Sequence, residues 1–175
     1  FEEAKIGTQF QIKGPLGKFL LPAKIMHDLC MVCTGTGIAP FRSMINHIYN
    51  TNIPHKEIYL IFGAQKKKDL LYHQEMLALV KKHKSFHYKI ALSREELNGY
   101  QGYVHLLYQQ IFDGKKQGHF FFCGMKNMMR AGRKKFSGRS PKLIQYMPLH
   151  VPSFMAIKLL ILNMPKNTSK RALQA

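Results

Sequence analysis

Hydrophobic positions along this chain follow two rhythms: unbroken apolar runs, and stretches where apolar residues recur every three or four positions. Leu29-Cys30-Met31-Val32 is the first run and reads as a buried strand. Phe41, Met44, Ile45 and Ile48 then share one face of a helix over residues 41–49. Residues 57–64 form a second strand, apolar enough to be buried on both faces. Residues 70–80 read as a second helix, with Asp69 as its N-cap and Lys81, Lys82 and Lys84 suited to its negative end. A third strand over 86–92, a third helix over 102–112 stopped by Asp113-Gly114, and a fourth strand at His119-Phe120-Phe121-Phe122 complete the series. Such alternation predicts an α/β domain, a twisted parallel sheet with helices on both faces. Upstream, Phe10-Gln11-Ile12 alternates like a strand, and Gly14-Pro15-Leu16-Gly17 breaks it.

From about Met129 the rhythm fails. Residues 130–141 show no clear face, and residues 154–162 are apolar but isolated among prolines. Charge changes over nearly the same boundary. The 175 residues carry a net charge of +18. Residues 1–113 hold 14 Lys/Arg against 9 acids, a balance of +5, whereas residues 114–175 hold 13 Lys/Arg and no acid, a balance of +13. Two compositions are joined, and only the first is ordinary for an enzyme. No apolar run approaches the ~20 residues of a membrane span. Three cysteines make no disulfide framework, so a cytoplasmic setting is expected. Cys30 and Cys33 form a Cys-x-x-Cys, but residues three apart on a strand point to opposite faces, and neither a second cysteine pair nor a suitable histidine pair accompanies them. His83 and His87 lack the Glu of a metalloprotease motif and read as surface residues. No metal site is expected.

The chemistry centres on Cys33-Thr34-Gly35-Thr36-Gly37-Ile38-Ala39-Pro40, between the first strand and the first helix. Gly-x-Gly alone describes many tight turns. A preceding strand, a following helix and a proline suited to the first helical position point further, to a dinucleotide phosphate. Glycine lets the backbone approach, free N–H groups face the anion, and Thr34 and Thr36 add hydroxyl donors. The loop is neither Gly-x-Gly-x-x-Gly, since Pro40 stands at the third glycine, nor a Walker loop.

Gly35-Thr36-Gly37-Ile38-Ala39-Pro40-Phe41-Arg42 resembles the pyrophosphate loop of the ferredoxin–NADP reductase superfamily. The resemblance covers roughly residues 10–129. It includes the Gly-Pro-x-Gly-x-Phe stretch ending at Phe19, the segment Asp69-Leu70-Leu71-Tyr72-x-x-Glu75, and Cys123-Gly124-x-x-x-Met128. It implies a Rossmann-like five-stranded parallel sheet of order 3-2-1-4-5, with a remnant of the flavin-binding barrel at the N-terminus. Thr34, Gly35, Thr36, Gly37, Ile38, Ala39 and Pro40 would hold the pyrophosphate. Ser93, Arg94 and Tyr103 would hold the adenosine end, a hydroxyl and a guanidinium gripping a 2′-phosphate. Read from the sequence alone, Arg94 would equally suit a surface ion pair with Glu95 or Glu96. Where NADP-dependent members carry Lys-x-Tyr, this chain has Gln101-Gly102-Tyr103, which leaves both NADPH and NADH as expected cofactors. Cys123, Gly124 and Met125 would flank the nicotinamide, with Cys123 as the catalytic position. A lone cysteine is otherwise a buried structural residue.

Three segments are expected: 1–22 as the end of an FAD-binding barrel, 23–129 as the NAD(P)-binding domain, and 130–175 as an atypical basic tail reflecting altered coding after about residue 129. The chain begins at Phe1 and reads as a piece of something longer. The expected function is the NAD(P)H-binding part of a flavin-dependent oxidoreductase that passes hydride to FAD, with FAD held mainly upstream and an unidentified electron acceptor. The rival is a non-enzymatic basic module for nucleic acid or an anionic surface, driven by the last 62 residues. The tail carries no recognisable nucleic-acid motif, so a nucleic-acid partner is not expected.

Overall fold

In a computed structural model, Gln9 and residues 19–97, 100–112, 117–136 and 144–148 are described. Five strands form one parallel sheet: β1 (Asp28–Thr34), β2 (Ile58–Ala64), β3 (Phe86–Leu92), β4 (Gly118–Gly124) and β5 (Ile144–Pro148). Their spatial order is β3-β2-β1-β4-β5. The helices are α1 (Ile38–Asn50), α2 (His73–Lys82), α3 (Val104–Ile111) and α4 (Lys126–Phe136). Short 3₁₀ turns at Gly35–Gly37 and Lys67–Asp69 precede α1 and α2. The fold class and strand order are those expected.

β1 is the centre because it is apolar on both faces. Leu29, Met31 and Cys33 join Phe121 and Cys123 of β4 in a core that also holds Phe41 and Ile45 of α1 and Met76 of α2. Cys30 and Val32 join Phe120 and Phe122 in the opposite core, with Tyr108 of α3 and Met129 and Phe136 of α4. Cys30 and Cys33 therefore lie on opposite faces, as the strand period requires. In register, Cys33 of β1 stands between Phe62 of β2 and Cys123 of β4.

Three local expectations change. Asp69 does not cap α2. Its carboxylate accepts the Lys66 N–H at 3.0 Å and closes the 3₁₀ turn, and α2 starts at His73 after Tyr72 in a left-handed conformation (φ +55°). Pro40 is the third residue of α1 rather than the first, still within the turn whose N–H groups have no intrahelical partner. The stretch after Met129 does have a face: α4 continues to Phe136, burying Met129, Gly132 and Phe136, and β5 then pairs with β4. The basic side chains of Arg130, Arg133, Lys134 and Lys135 on the other faces hid that stripe. Arg133 also lies over the Tyr146 ring at 5.0 Å, which stacks on Phe122 at 5.1 Å.

α1 and α2 are held in register by one polar cluster. The Arg42 Nε donates to both Glu75 carboxylate oxygens at 2.7 and 2.9 Å, Asn46 Nδ2 is a second donor at 3.2 Å, and the Arg42 guanidinium lies over Tyr72 at 4.7 Å. Tyr72 and Glu75 belong to the segment that carries the family resemblance, and here they orient the helix that follows the glycine turn. His87 pairs with Glu57 and stacks on Tyr59.

Candidate functional site

A cleft of about 950 Å³ opens across the carboxyl ends of the strands. Thr34 and Gly35 come from the end of β1, Gly63 to Gln65 from β2, Ser93 and Arg94 from β3, Tyr103 and His105 from the start of α3, and Met125, Asn127 and Met128 from beyond β4. Open α/β sheets bind ligands at this edge, beside the strand where the chain reverses direction across the sheet. Here that strand is β1. A second cavity, of about 580 Å³, lies between the end of α1 and the turn before β3. Tyr49 and His83 stack beside it at 3.7 Å.

At the glycine turn, Gly35 has φ +55°, and a β-carbon there would meet nothing within 4 Å. Gly35 and Thr36 are exposed, while Gly37, Ile38, Ala39 and Pro40 are buried. The first turn of α1 contains no acidic residue, so its positive end has no built-in counter-charge. Gly37 has a different task. A β-carbon on it would stand 2.1 Å from the Cys123 carbonyl oxygen. Gly124 has φ +156°, and a β-carbon there would stand 2.2 Å from Thr34 Oγ1. That hydroxyl oxygen accepts the Met125 N–H at 3.0 Å, locking the turn after β4 to the end of β1.

At the other end of the cleft, the loop after β3 is tied down by its backbone. Ser93 N–H donates to the Ala64 carbonyl and Arg94 N–H to the Gln65 carbonyl, both at 3.0 Å. The Arg94 side chain is exposed and, among the described residues, has no carboxylate partner. Glu95 instead accepts the Lys67 N–H at 2.8 Å. Tyr103 is 64 % exposed, and the His105 ring lies parallel to it at 5.9 Å.

Residues 31–134 match the family model described as the oxidoreductase NAD-binding domain. The chain belongs to that family. A chloroplastic ferredoxin–NADP reductase of Chlamydomonas reinhardtii is 36 % identical over 140 residues, covering 73 % of this chain and 40 % of that protein. Among solved structures, the cytochrome b5 reductase domain of Ulva prolifera nitrate reductase superposes with TM-score 0.66 at 19 % identity, over 77 % of this chain and 57 % of that one. Ferredoxin-NADP+ reductase from Plasmodium falciparum with 2′P-AMP gives TM-score 0.62 at 18 % identity, over 76 % and 56 %. The chain spans about two fifths of the length of the reductase from Chlamydomonas. The family match leaves the reading as a basic binding module without support. Among the described residues, no helix is long and apolar enough to cross a membrane.

Within this NAD-binding domain, Thr34, Gly35, Ser93, Arg94, Tyr103 and Met125 line the cleft. Thr36 is exposed on the same turn, and Gly37, Ile38, Ala39 and Pro40 lie beneath it. Cys123 is 1 % exposed, and burial pushes its thiol up to about 12, so it is a neutral thiol at physiological pH. It packs in the core with Met31, Cys33 and Phe121. His105, Asn127 and Ala131 also line the cleft but carried no motif in the sequence. Gly63 lines it too, as the small residue where β2 passes the Val104 and Thr34 side chains.

Proposed function

We propose that this domain binds NAD(P)H along the cleft and presents it to a flavin carried by a preceding FAD-binding segment. The observation that carries the reading is the left-handed, unobstructed Gly35 just before α1, with the exposed Arg94 and Tyr103 at the other end of the same cleft. This fits a dinucleotide with its pyrophosphate on residues 34–37 and its adenosine on Ser93, Arg94 and Tyr103. Cys123, Gly124 and Met125 then bound the nicotinamide end, where they fix position and exclude water. NAD(P)H, when bound here, would supply a hydride to that flavin, for onward transfer to an unidentified acceptor.

A guanidinium beside a phosphate dianion favours NADPH over NADH. Titration of the full chain, followed by nicotinamide fluorescence, is expected to show saturable binding of both nucleotides, tighter for NADPH. Arg94→Ala should cost NADPH about tenfold in affinity and leave NADH nearly unchanged. A chain with folded circular dichroism that binds neither nucleotide would overturn the proposal. Three free cysteines fit a reducing compartment, the cytoplasm or a plastid.

The proposed domain runs from residue 23 through Pro148, because β5 pairs with β4 and α4 packs its Met129 and Phe136 against the same sheet. The proposed barrel remnant, 1–22, lies almost wholly outside the described residues, as does the chain after Pro148. Altered coding after about residue 129 predicts an acid-rich alternative frame in the parent DNA, ending in an aromatic residue; β5, within that stretch, nonetheless pairs with β4. Sequencing that shows no such frame removes the idea.

A further inference from the structure

The second cavity lies at the opposite end of the sheet from the cleft, where β2 and β3 begin. At about 580 Å³ it has room for an organic group as well as an anion. No acidic side chain lines it, whereas His55, Lys82, His83 and Lys84 do. Lys82 and Lys84 are exposed, and among the described residues neither pairs with a carboxylate. Glu57, whose charge reaches Tyr49, is taken up by His87.

The wall of the cavity is ordered. Tyr49 stacks on His83 at 3.7 Å and meets the His55 ring edge-on at 5.2 Å. His55 Nδ1 lies 2.8 Å from the Ile53 carbonyl, which can only accept, so that nitrogen carries the proton. Nε2 of the neutral ring then accepts from the Ser85 hydroxyl at 3.1 Å. His83 Nε2 is buried without a hydrogen-bond partner. Burial, then Lys82 and His55, hold the His83 pKa below its ordinary value. Positive groups therefore crowd one another here, with no lining carboxylate to balance them. The negative ends of α1 and α2 do not fill that role, because their last carbonyls are already engaged: Thr51 donates to His47, Ile53 to Ile48 and His83 to Leu79.

We propose that this cavity is a second ligand site, for a small phosphate monoester, with Lys82, Lys84 and the Ser85 hydroxyl on the phosphate and Ile48, Ile53 and Pro54 against the organic part. A phosphate offers three acceptor oxygens to these donors, where a carboxylate offers two. The site is separate from the nucleotide cleft and does not rest on the nucleotide reading. The Ser85 hydroxyl must turn from His55 to the ligand, so the His55 ring reports occupancy.

Basic side chains occur along the whole chain, so the place of binding decides, not binding alone. The test follows histidine ring signals of the full chain by NMR during titration with phenyl phosphate, assigned through His55→Gln, His83→Gln and His105→Gln. The His55 and His83 signals should shift together and saturate, with half-saturation near ~1 mM, while His105 in the cleft stays in place. Inorganic phosphate should reverse the shifts, and phenol should not. Lys82→Gln with Lys84→Gln should weaken binding about tenfold, and Ser85→Ala about threefold. Unchanged signals from the other histidines report that these variants are folded. Absence of a saturable shift at His55 and His83, or shifts confined to His105, would overturn the proposal. Undiminished affinity in the double lysine variant would also overturn it, leaving the lysines as partners of the helix ends only. Benzoate binding as tightly as phenyl phosphate would refute the choice of phosphate.

Discussion

Two strand-to-helix turns meet at the cleft, and both carry glycines, yet they use them in opposite ways. After β1, Gly35 adopts a left-handed conformation facing open space. After β4, Gly124 is also at positive φ, but a β-carbon there would strike Thr34 Oγ1. One glycine leaves room for a ligand; the other lets two turns touch. Gly37 belongs to the first turn by sequence and to the second use by contact, since the Cys123 carbonyl fills the place of its missing side chain. A glycine motif therefore marks close approach without saying what approaches, and each position must be decided from its surroundings.

Substitution separates the two uses. Gly37→Ala has the largest expected effect, because backbone rather than a flexible side chain must move. It should cost about 3 kcal/mol of stability, seen as a lowered midpoint in urea unfolding. Intact stability would mean the two turns are looser than their contacts indicate. Alkaline pH probes the same closed junction. Cys123 is pushed up to about 12 by burial, and Cys30 and Cys33 are also pushed well above their ordinary value of 9.0. The unfolded chain releases these protons near that ordinary value while the folded chain keeps them. The stabilising contribution is therefore full below pH 9 and is lost as pH rises from 9 toward 12, at up to about 1 kcal/mol per pH unit for each thiol. Urea midpoints between pH 8 and 10 should fall accordingly, and less steeply in Cys123→Ala.

Gly35→Ala comes next in stability, about 1 kcal/mol from the left-handed backbone, but it should lower NADPH affinity by tenfold or more, because its methyl occupies the approach path. Small loss of stability with large loss of binding is the reverse of Gly37→Ala, and equal binding losses in the two variants would erase the distinction. Thr34→Val is the mildest. Removing the acceptor for the Met125 N–H should cost about 1 kcal/mol, and the nicotinamide end should loosen before the adenosine end does.

Much of this was legible in the chain. The apolar runs of β1, β2, β3 and β4 could be read directly, because a strand buried on both faces needs no alternation. Ser93, Arg94 and Tyr103 were legible by resemblance, and the cleft brings them together. The start of α2 was not, because Asp69 is as good a cap for a 3₁₀ turn as for a helix, and Tyr72 enters the left-handed region with no glycine to signal it. α4 was obscured because its buried stripe is only Met129, Gly132 and Phe136, set among Arg130, Arg133, Lys134 and Lys135. The hydrogen bonds of Gln101 and Glu95 were invisible for another reason. Both act through hydrogen bonds to backbone atoms of other segments, and such bonds leave no pattern of residue types.

The central place of β1 also shapes how this molecule is born. Its partners on one side come from residues 58–63 and on the other from residues 118–123. During synthesis, β1, β2 and β3 emerge first and can pair early, leaving one edge of β1 bare until the Phe120-Phe121-Phe122 strand has been made. That edge is apolar on both faces and offers unpaired amide and carbonyl groups, a template for stray strands. Non-local closure of this kind is slow. Yield from a cell should depend on chaperone supply and growth temperature more than the stability of the finished domain would suggest.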